Sequence, residues 1–252
     1  MQAGLNRLAR KLTNCGDCAR IAPAALLKLD PTLKIVEPGG NLSHAGEKTD
    51  RIYLICQGWA VCHCDLEDGN CQVMNFLLPG DFACLGAGIY TRCNTSTTAI
   101  TRLQVMEFTL ARLMAMMRAN PDFAHPLLWI AEQENAILAE HLVSVGRRTA
   151  YQRTAHLLLE LWHRLRQVGL AEGCQFAFPV AQPLFADALG LTPIHISRTI
   201  QRLKGNKLIE VQFSSGKRAQ ILNLPEAMKA ASFNSAYLNI ANGAERPPVS
   251  FP

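Results

Sequence analysis

The 252-residue chain contains no run of 18 consecutive apolar residues, which excludes a helical membrane span. Its first residues, MQAGLNRLARKLTNC, are basic but lack the apolar centre of a secretory leader. Leu5, Leu8 and Leu12 are spaced instead as one side of a short amphipathic helix. The expectation is therefore a cytoplasmic protein with no membrane partner. Charged residues are sparse at 18% while apolar residues reach 49%, a globular composition rather than a disordered or coiled-coil one. A chain of this length buries a core without staples. No Gly-rich phosphate loop, HExxH or GxSxG occurs, so nothing in the motifs favours an enzyme. Cysteine, by contrast, is plentiful: nine residues, an odd number, eight of them before residue 94. With no export signal, that argues against a disulfide scaffold and for a reducing compartment.

Charge is unevenly distributed. Residues 1–145 carry 12 Lys/Arg against 14 Asp/Glu, residues 146–220 carry 11 against 4, and residues 221–252 carry 2 against 2. A near-neutral first half followed by a basic block of 75 residues points to nucleic-acid binding in the second half.

Residues 33–110 consist of short apolar runs punctuated by glycine. Asp68-Gly69 separates two such runs, RIYLICQGWAVCHCDL and CQVMNFLLPGDF, and predicts a hairpin. Many short strands with Gly-rich turns predict a small barrel or sandwich with a hollow suited to a small ligand. Pro121 then opens a long helical pattern that runs to Gly146. Leu128, Ala131, Asn135, Leu138, Leu142 and Val145 fall at successive a and d positions, a seam for a second copy of the chain. Packing within one chain is the alternative. Trp129, Ile130 and Ile137 lie off that seam and are expected against the barrel.

The stretch QPLFADALGLTPIHISRTIQRLKGNKLIEV reads as a helix from about Pro183 to Leu189, a glycine turn, and a second helix from Thr192 or Pro193 to Lys204. Thr192 suits the N-cap and Pro193 the first helical position. Ile196, Ile200 and Leu203 form the buried stripe, and His195, Ser197, Arg198, Gln201 and Arg202 the polar face. The following LIEVQFSSGKRAQILNL reads as a hairpin with a basic tip at Lys217 and Arg218. Together these segments make a winged helix-turn-helix. A helix pair with no DNA role is the alternative.

In this order, the glycine-punctuated β segment (PGGNLSHAGEKTDRIYLICQGWAV, LLPGDF), the long helix, GRRTAYQRTAHLLLEL and GLTPIHISRTIQRL resemble the Crp/Fnr family of bacterial transcription regulators over about residues 25–225. The resemblance implies an α+β fold: an N-terminal segment and jelly-roll-like β-roll sensor over 1–120, a dimerisation helix over 121–146, a winged helix-turn-helix over 147–225 and a C-terminal tail over 226–252. It also implies a homodimer on a near-palindromic double-stranded DNA operator, with RNA polymerase as a further partner. In the family the second helix enters the major groove. Arg198 takes the place of the guanine-reading arginine, whose guanidinium can bond O6 and N7 together. Ser197 matches a base-proximal serine of the Fnr branch. Thr192, His195, Lys217 and Arg218 read better as phosphate contacts, and Arg202 as either a contact or a solvated charge. The family's usual glutamate is Ile194 here, and an arginine of the cyclic-AMP branch is Pro193, so base preference differs.

The resemblance also bears on the effector. The cyclic-AMP branch holds its phosphate with an Arg-Ser pair after a Gly-Glu-Leu turn. Here the turn is GDFACLGAGIY, Leu85 stands near the glutamate's place, TRCNTSTTAI offers no such pair, and Arg92 is out of register. Cyclic AMP is thus not the expected effector. Cys15-x-x-Cys18 lies where Fnr proteins hold an iron–sulfur cluster, but their third N-terminal cysteine is Ala24 here and their central one Met106. A cluster would need substitutes from Cys62, Cys64, Cys84 or Cys93. Reversible thiol oxidation is a second reading of the pair and burial as small hydrophobes a third. The seven histidines show no close ligand pairing in sequence, which disfavours haem. The competing function is a module binding a small molecule or cyclic nucleotide without DNA activity, and the basic block argues against it.

Overall fold

The computed structural model describes residues 1–13, 15, 18–86, 92–214 and 216–238. Two four-stranded antiparallel sheets form the roll. One has the order β1-β8-β3-β6, from Thr32–Val36, Leu103–Thr109, Arg51–Gln57 and Phe82–Ala83; the other has the order β2-β7-β4-β5, from Asn41–Ser43, Ser96–Ala99, Ala60–Asp65 and Cys71–Leu77. Asp68-Gly69 turns β4 into β5 as the sequence predicts: Asn70 N–H bonds Asp68 Oδ1 at 3.0 Å, and Asp65 pairs with Cys71.

β3 shows why its sequence is apolar without alternation. Tyr53 and Ile55 face the roll interior with Leu42, Leu103 and Val105, while Ile52, Leu54 and Cys56 face outward yet are equally buried. They are covered by α1 (Gln2–Lys11) and α2 (Cys18–Leu27). A strand buried on both faces has no polar side to show. Leu5, Leu8 and Leu12 are the apolar side of α1 and lie in this layer. Gly4 lets α1 settle there, since a Cβ at that position would come 2.4 Å from Cys56 Sγ.

After β8 come α3 (Leu110–Ala119), a 3-10 turn at Pro121–Phe123 and α4 (Ala124–Arg147). The long helix therefore starts three residues later than Pro121 suggests. A second proline, Pro126, falls within its first turn, where a missing N–H costs nothing. It also passes Gly146 by one residue. Ile130 and Ile137 are buried, as their positions off the seam require. Ile130 joins the α1–α2 layer, whereas Ile137 joins the core of the C-terminal unit.

That unit consists of α5 (Ala150–Gln167), a sheet in the order β11-β12-β10-β9 (Ile209–Gln212, Arg218–Ile221, Gln175–Ala177, Ala171–Glu172), α6 (Gln182–Leu189), α7 (Pro193–Gly205) and α8 (Leu224–Ala231). The segment expected only as a tail folds through a 3-10 turn at Ser235–Leu238, with Asn223 capping α8. Trp59 of the roll packs edge-on to its neighbour Phe76 and to Phe178 of the C-terminal unit, 6.3 Å away, so roll and C-terminal unit share one core.

Buried charge crosses the same boundary. Asp81 bonds Lys11 Nζ at 2.6 Å and Arg164 Nη2 at 2.8 Å; Arg164 Nη1 reaches Glu160 at 3.1 Å; Glu160 also takes His141 Nε2 at 2.9 Å and the Tyr237 hydroxyl at 2.8 Å. Burial alone would raise both carboxyls, but Lys11 and Arg164 hold Asp81 at about 2, and His141 with Arg164 holds Glu160 at about 2. α1, the roll, α4, α5 and the C-terminal turn are all tied to this chain of ions.

Candidate functional site

The helix-turn-helix arises from local rules. Gly190 caps α6 in the left-handed region (φ 59°), a conformation costly for any residue with a Cβ. Thr192 Oγ1 accepts from His195 N–H at 3.2 Å and Pro193 opens α7. Ile196, Ile200 and Leu203 are buried against α5 and the sheet. Thr192, His195, Arg198, Gln201 and Arg202 are exposed, and Ser197 is half-buried. Among the described residues Arg198 has no ion-pair partner. It lines an open cleft with Thr149, Tyr151, Thr192, Ile194 and His195, between the start of α5 and α7.

Arg202 is engaged: its guanidinium lies 4.7 Å from the Tyr151 ring centroid, and Asn206 donates to the Tyr151 hydroxyl at 2.9 Å. Its charge is thus stacked on α5 rather than simply solvated. Lys217 and Arg218 are exposed at the start of β12, and Lys217 O accepts from Phe178 N–H at 2.7 Å. Of the SSGKR tip, Ser215 lies outside the described residues.

On α4, Leu128, Ala131, Asn135, Leu138, Leu142 and Val145 are all exposed, Leu142 at 75% and Leu128 at 64%. An apolar stripe of this length facing solvent on a single chain is an unpartnered surface.

The roll holds a cavity of about 350 Å³. Cys62, Cys84 and Cys93 line it with Phe82, Leu77 and Leu138, and α4 contributes Glu134. Burial pushes the Cys62 thiol up to about 11 and raises Cys84 and Cys93 as well, which favours the neutral thiol in each. Cys62 and Cys64 stay on one side of β4 despite a bulge after Cys62; their sulfurs reach Thr95 Oγ1 at 3.2 Å and Asn94 O at 4.0 Å. Burial likewise raises Glu134 to about 7, and its Oε1 has no hydrogen-bond partner. Arg92, out of register with the Arg-Ser pair of the cyclic-AMP branch, does line the cavity, and its guanidinium donates to Gly46 O at 2.5 Å. Residues 87–91, part of the turn compared above, lie outside the described residues.

Cys15 and Cys18 are buried at the corner between α1 and α2 and are joined by a disulfide. The histidines show no close ligand pairing in sequence, but the fold brings one of them to this pair. His125, in the first turn of α4, places Nδ1 3.6 Å from Cys18 Sγ, and ligand atoms of Cys15, Cys18 and His125 lie within 4.8 Å of one another. The pairing spans 107 residues and leaves no spacing signal in the sequence. Among the described residues none of Cys62, Cys64, Cys84 or Cys93 joins this group, so the substitutes invoked for a cluster do not reach it. They belong to the roll, on the other side of β3 or beyond it.

Comparison with known proteins agrees with this architecture. The profile of the cyclic nucleotide-binding domain matches residues 33–120, and that of the Crp-like helix-turn-helix domain matches residues 152–230. The nitrogen fixation regulation protein FixK of Bradyrhizobium diazoefficiens is 30% identical over 207 residues, covering 78% of this chain and 86% of that protein. The transcriptional activator protein FnrL of Cereibacter sphaeroides is 28% identical, over 86% of this chain and 91% of its own. The structure of FixK2 from Bradyrhizobium japonicum superposes with a TM-score of 0.71 at 24% identity, over 79% of this chain and 96% of that one, and so shares the fold.

Proposed function

The chain belongs to the Crp/Fnr family of transcription regulators, and we propose that it acts as a cytoplasmic homodimer reading a near-palindromic operator through α7. The observation that carries this is the exposed polar face of α7 around Arg198. Arg198 projects from the middle of that face with no competing acid, in geometry suited to bidentate contact with guanine O6 and N7. Ile194, exposed one turn earlier, offers an apolar contact to a thymine methyl where an acidic residue would accept from cytosine. Ser197 and Gln201 flank Arg198. Thr192, His195, Lys217 and Arg218 hold phosphates and set register without specifying sequence. Arg202, stacked on Tyr151, braces α7 against α5.

Two copies join along Leu128, Ala131, Asn135, Leu138, Leu142 and Val145. Dimer symmetry then sets the half-sites about one helical turn apart. In this division of labour residues 1–120 sense, 121–146 dimerise, 147–225 bind DNA, and the bound dimer meets RNA polymerase.

Cyclic AMP is not the effector in this reading. The roll cavity presents an unpartnered Glu134 carboxyl to any ligand, its arginine is already committed to Gly46 O, and a phosphodiester gains no bidentate partner. The sensing element is the Cys15–Cys18 pair, whose oxidation state is the signal. Selection of binding duplexes from a random pool, followed by gel shift, tests the DNA half. A selected palindrome bound by the parent and equally by Arg198→Ala removes α7 as the reader. Calorimetry with cyclic AMP tests the other half, and tight binding there would refute it.

A further inference from the structure

Residues 1–32 and 121–151 lie outside both family profiles, and the trio Cys15, Cys18 and His125 is built wholly from them. Two sulfurs and one imidazole nitrogen within 4.8 Å form a soft donor set of the kind zinc-class ions take, with one position left to water. The two sulfurs are buried, at 5% and 1% exposure, whereas His125 is exposed and gives an entry path. An iron–sulfur cluster asks for four thiolates, and among the described residues the pair finds a histidine instead.

We propose that the reduced Cys15–Cys18 dithiol and His125 Nδ1 form a three-ligand site for one zinc-class divalent ion, and that oxidation of the pair to its disulfide dismantles it. The metal half stands on geometry alone; the redox half rests on the reading of the pair given above. On loading, both thiols lose their protons and the neutral imidazole binds through Nδ1, keeping its hydrogen on Nε2. On oxidation by a peroxide, the two thiolates give up two electrons and form the S–S bond. The peroxide O–O bond takes those electrons and, with two protons, leaves as two waters. The ion then has only His125 and departs. The loaded site would pin the α1–α2 corner to the start of α4, the helix that carries the dimer seam. The disulfide form has one covalent link fewer between them.

The test uses the full-length protein, reduced and desalted without oxygen, titrated with Co²⁺ as a spectroscopic stand-in. One ion per chain with thiolate-to-cobalt charge-transfer absorption, displaced by Zn²⁺, is the expected result. His125→Ala, at an exposed position, should weaken binding at least about tenfold, since even losing a partner behind a ligand costs that much. Cys15→Ser/Cys18→Ser should abolish the charge-transfer bands. Hydrogen peroxide should release one ion for every two thiols lost, counted with a chromogenic chelator. Absence of thiolate–cobalt bands overturns the site, and unchanged affinity in His125→Ala removes the third ligand. Iron and sulfide in protein purified without oxygen would replace the mononuclear ion with a cluster. Retention of the ion after oxidation refutes the switch. DNA affinity indifferent to peroxide, with the ion still bound by the reduced protein, would instead overturn the redox reading alone.

Discussion

The two ends of the chain handle their chemistry in opposite ways. α7 keeps its working groups in water: Arg198, His195 and Gln201 are exposed on a helix whose other side is fully packed. The N-terminal half hides its groups. Cys15, Cys18, Cys62, Cys84 and Glu134 all sit where burial or a neighbour decides their state. An exposed reader must be accessible to a large, charged partner and gains its specificity from direction. A sensor must be insulated, so that one small event changes its energy appreciably. Between the two lies the ion chain from Lys11 through Asp81 and Arg164 to Glu160, which joins one half to the other.

The comparison breaks most completely if the dimer is lost, because a single α7 then holds only one half-site. Leu138→Glu with Leu142→Glu puts charge into the exposed stripe of α4 and should convert the dimer to monomer. Light scattering that still shows a dimer refutes the seam. The next largest effect is expected at the connection. Asp81→Asn leaves Lys11 buried without its acid and takes a partner from Arg164, at a cost of about 3–5 kcal/mol in urea denaturation near neutral pH. Asp81 and Glu160 are depressed in the folded state, so their contribution is present above the unfolded carboxyl range and lost as pH falls from about 4 towards about 2. Parent and variant should therefore converge in acid. A gap that stays constant there would show that Asp81 acts through shape and not charge.

At the DNA surface the effects are smaller and differ in kind. Arg198→Ala should cost roughly 1–3 kcal/mol and relax preference at one base position, whereas Lys217→Ala should weaken all sequences alike and lower the salt slope by about one. Titrations at several salt concentrations on matched and singly mutated operators separate the two. If Lys217→Ala changes sequence preference, the wing reads bases and the division between α7 and wing is wrong.

The helix-turn-helix was legible in sequence because its signals lie close together. The cap at Thr192, the stripe Ile196–Ile200–Leu203 and the exposed Arg198 all lie within about three turns, where 3.6-residue periodicity determines which side faces out. The exposed stripe on α4 was legible for the same reason. The buried groups of the N-terminal half were not, because they meet only through tertiary packing. His125 reaches Cys18 across a separation of 107 residues, Glu134 enters the cavity from a helix outside the roll, and Asp81 pairs with residues 70 and 83 positions away. Their helical or turn surroundings look ordinary.

The smallest expected effect sharpens a contrast between two carboxyls, one on the roll and one on the helix beside it. Asp81 and Glu134 are both buried carboxyls, but they respond to burial in opposite directions. Asp81 has two cations in contact and is held at about 2; Glu134 has none in bonding reach, and burial raises it to about 7. A raised carboxyl binds its proton more tightly folded than unfolded. The folded state therefore loses stability as pH rises from the ordinary carboxyl range, about 4.3, to about 7, the reverse of Asp81. Glu134→Gln keeps the shape and removes the titration. Its stability relative to the parent should grow across that window and level off above it. Denaturation midpoints at pH 5, 6, 7 and 8, roughly spanning that rise, measure the difference. A flat difference would mean that Glu134 is solvated or paired in solution, and that the cavity offers its ligand no uncompensated carboxyl.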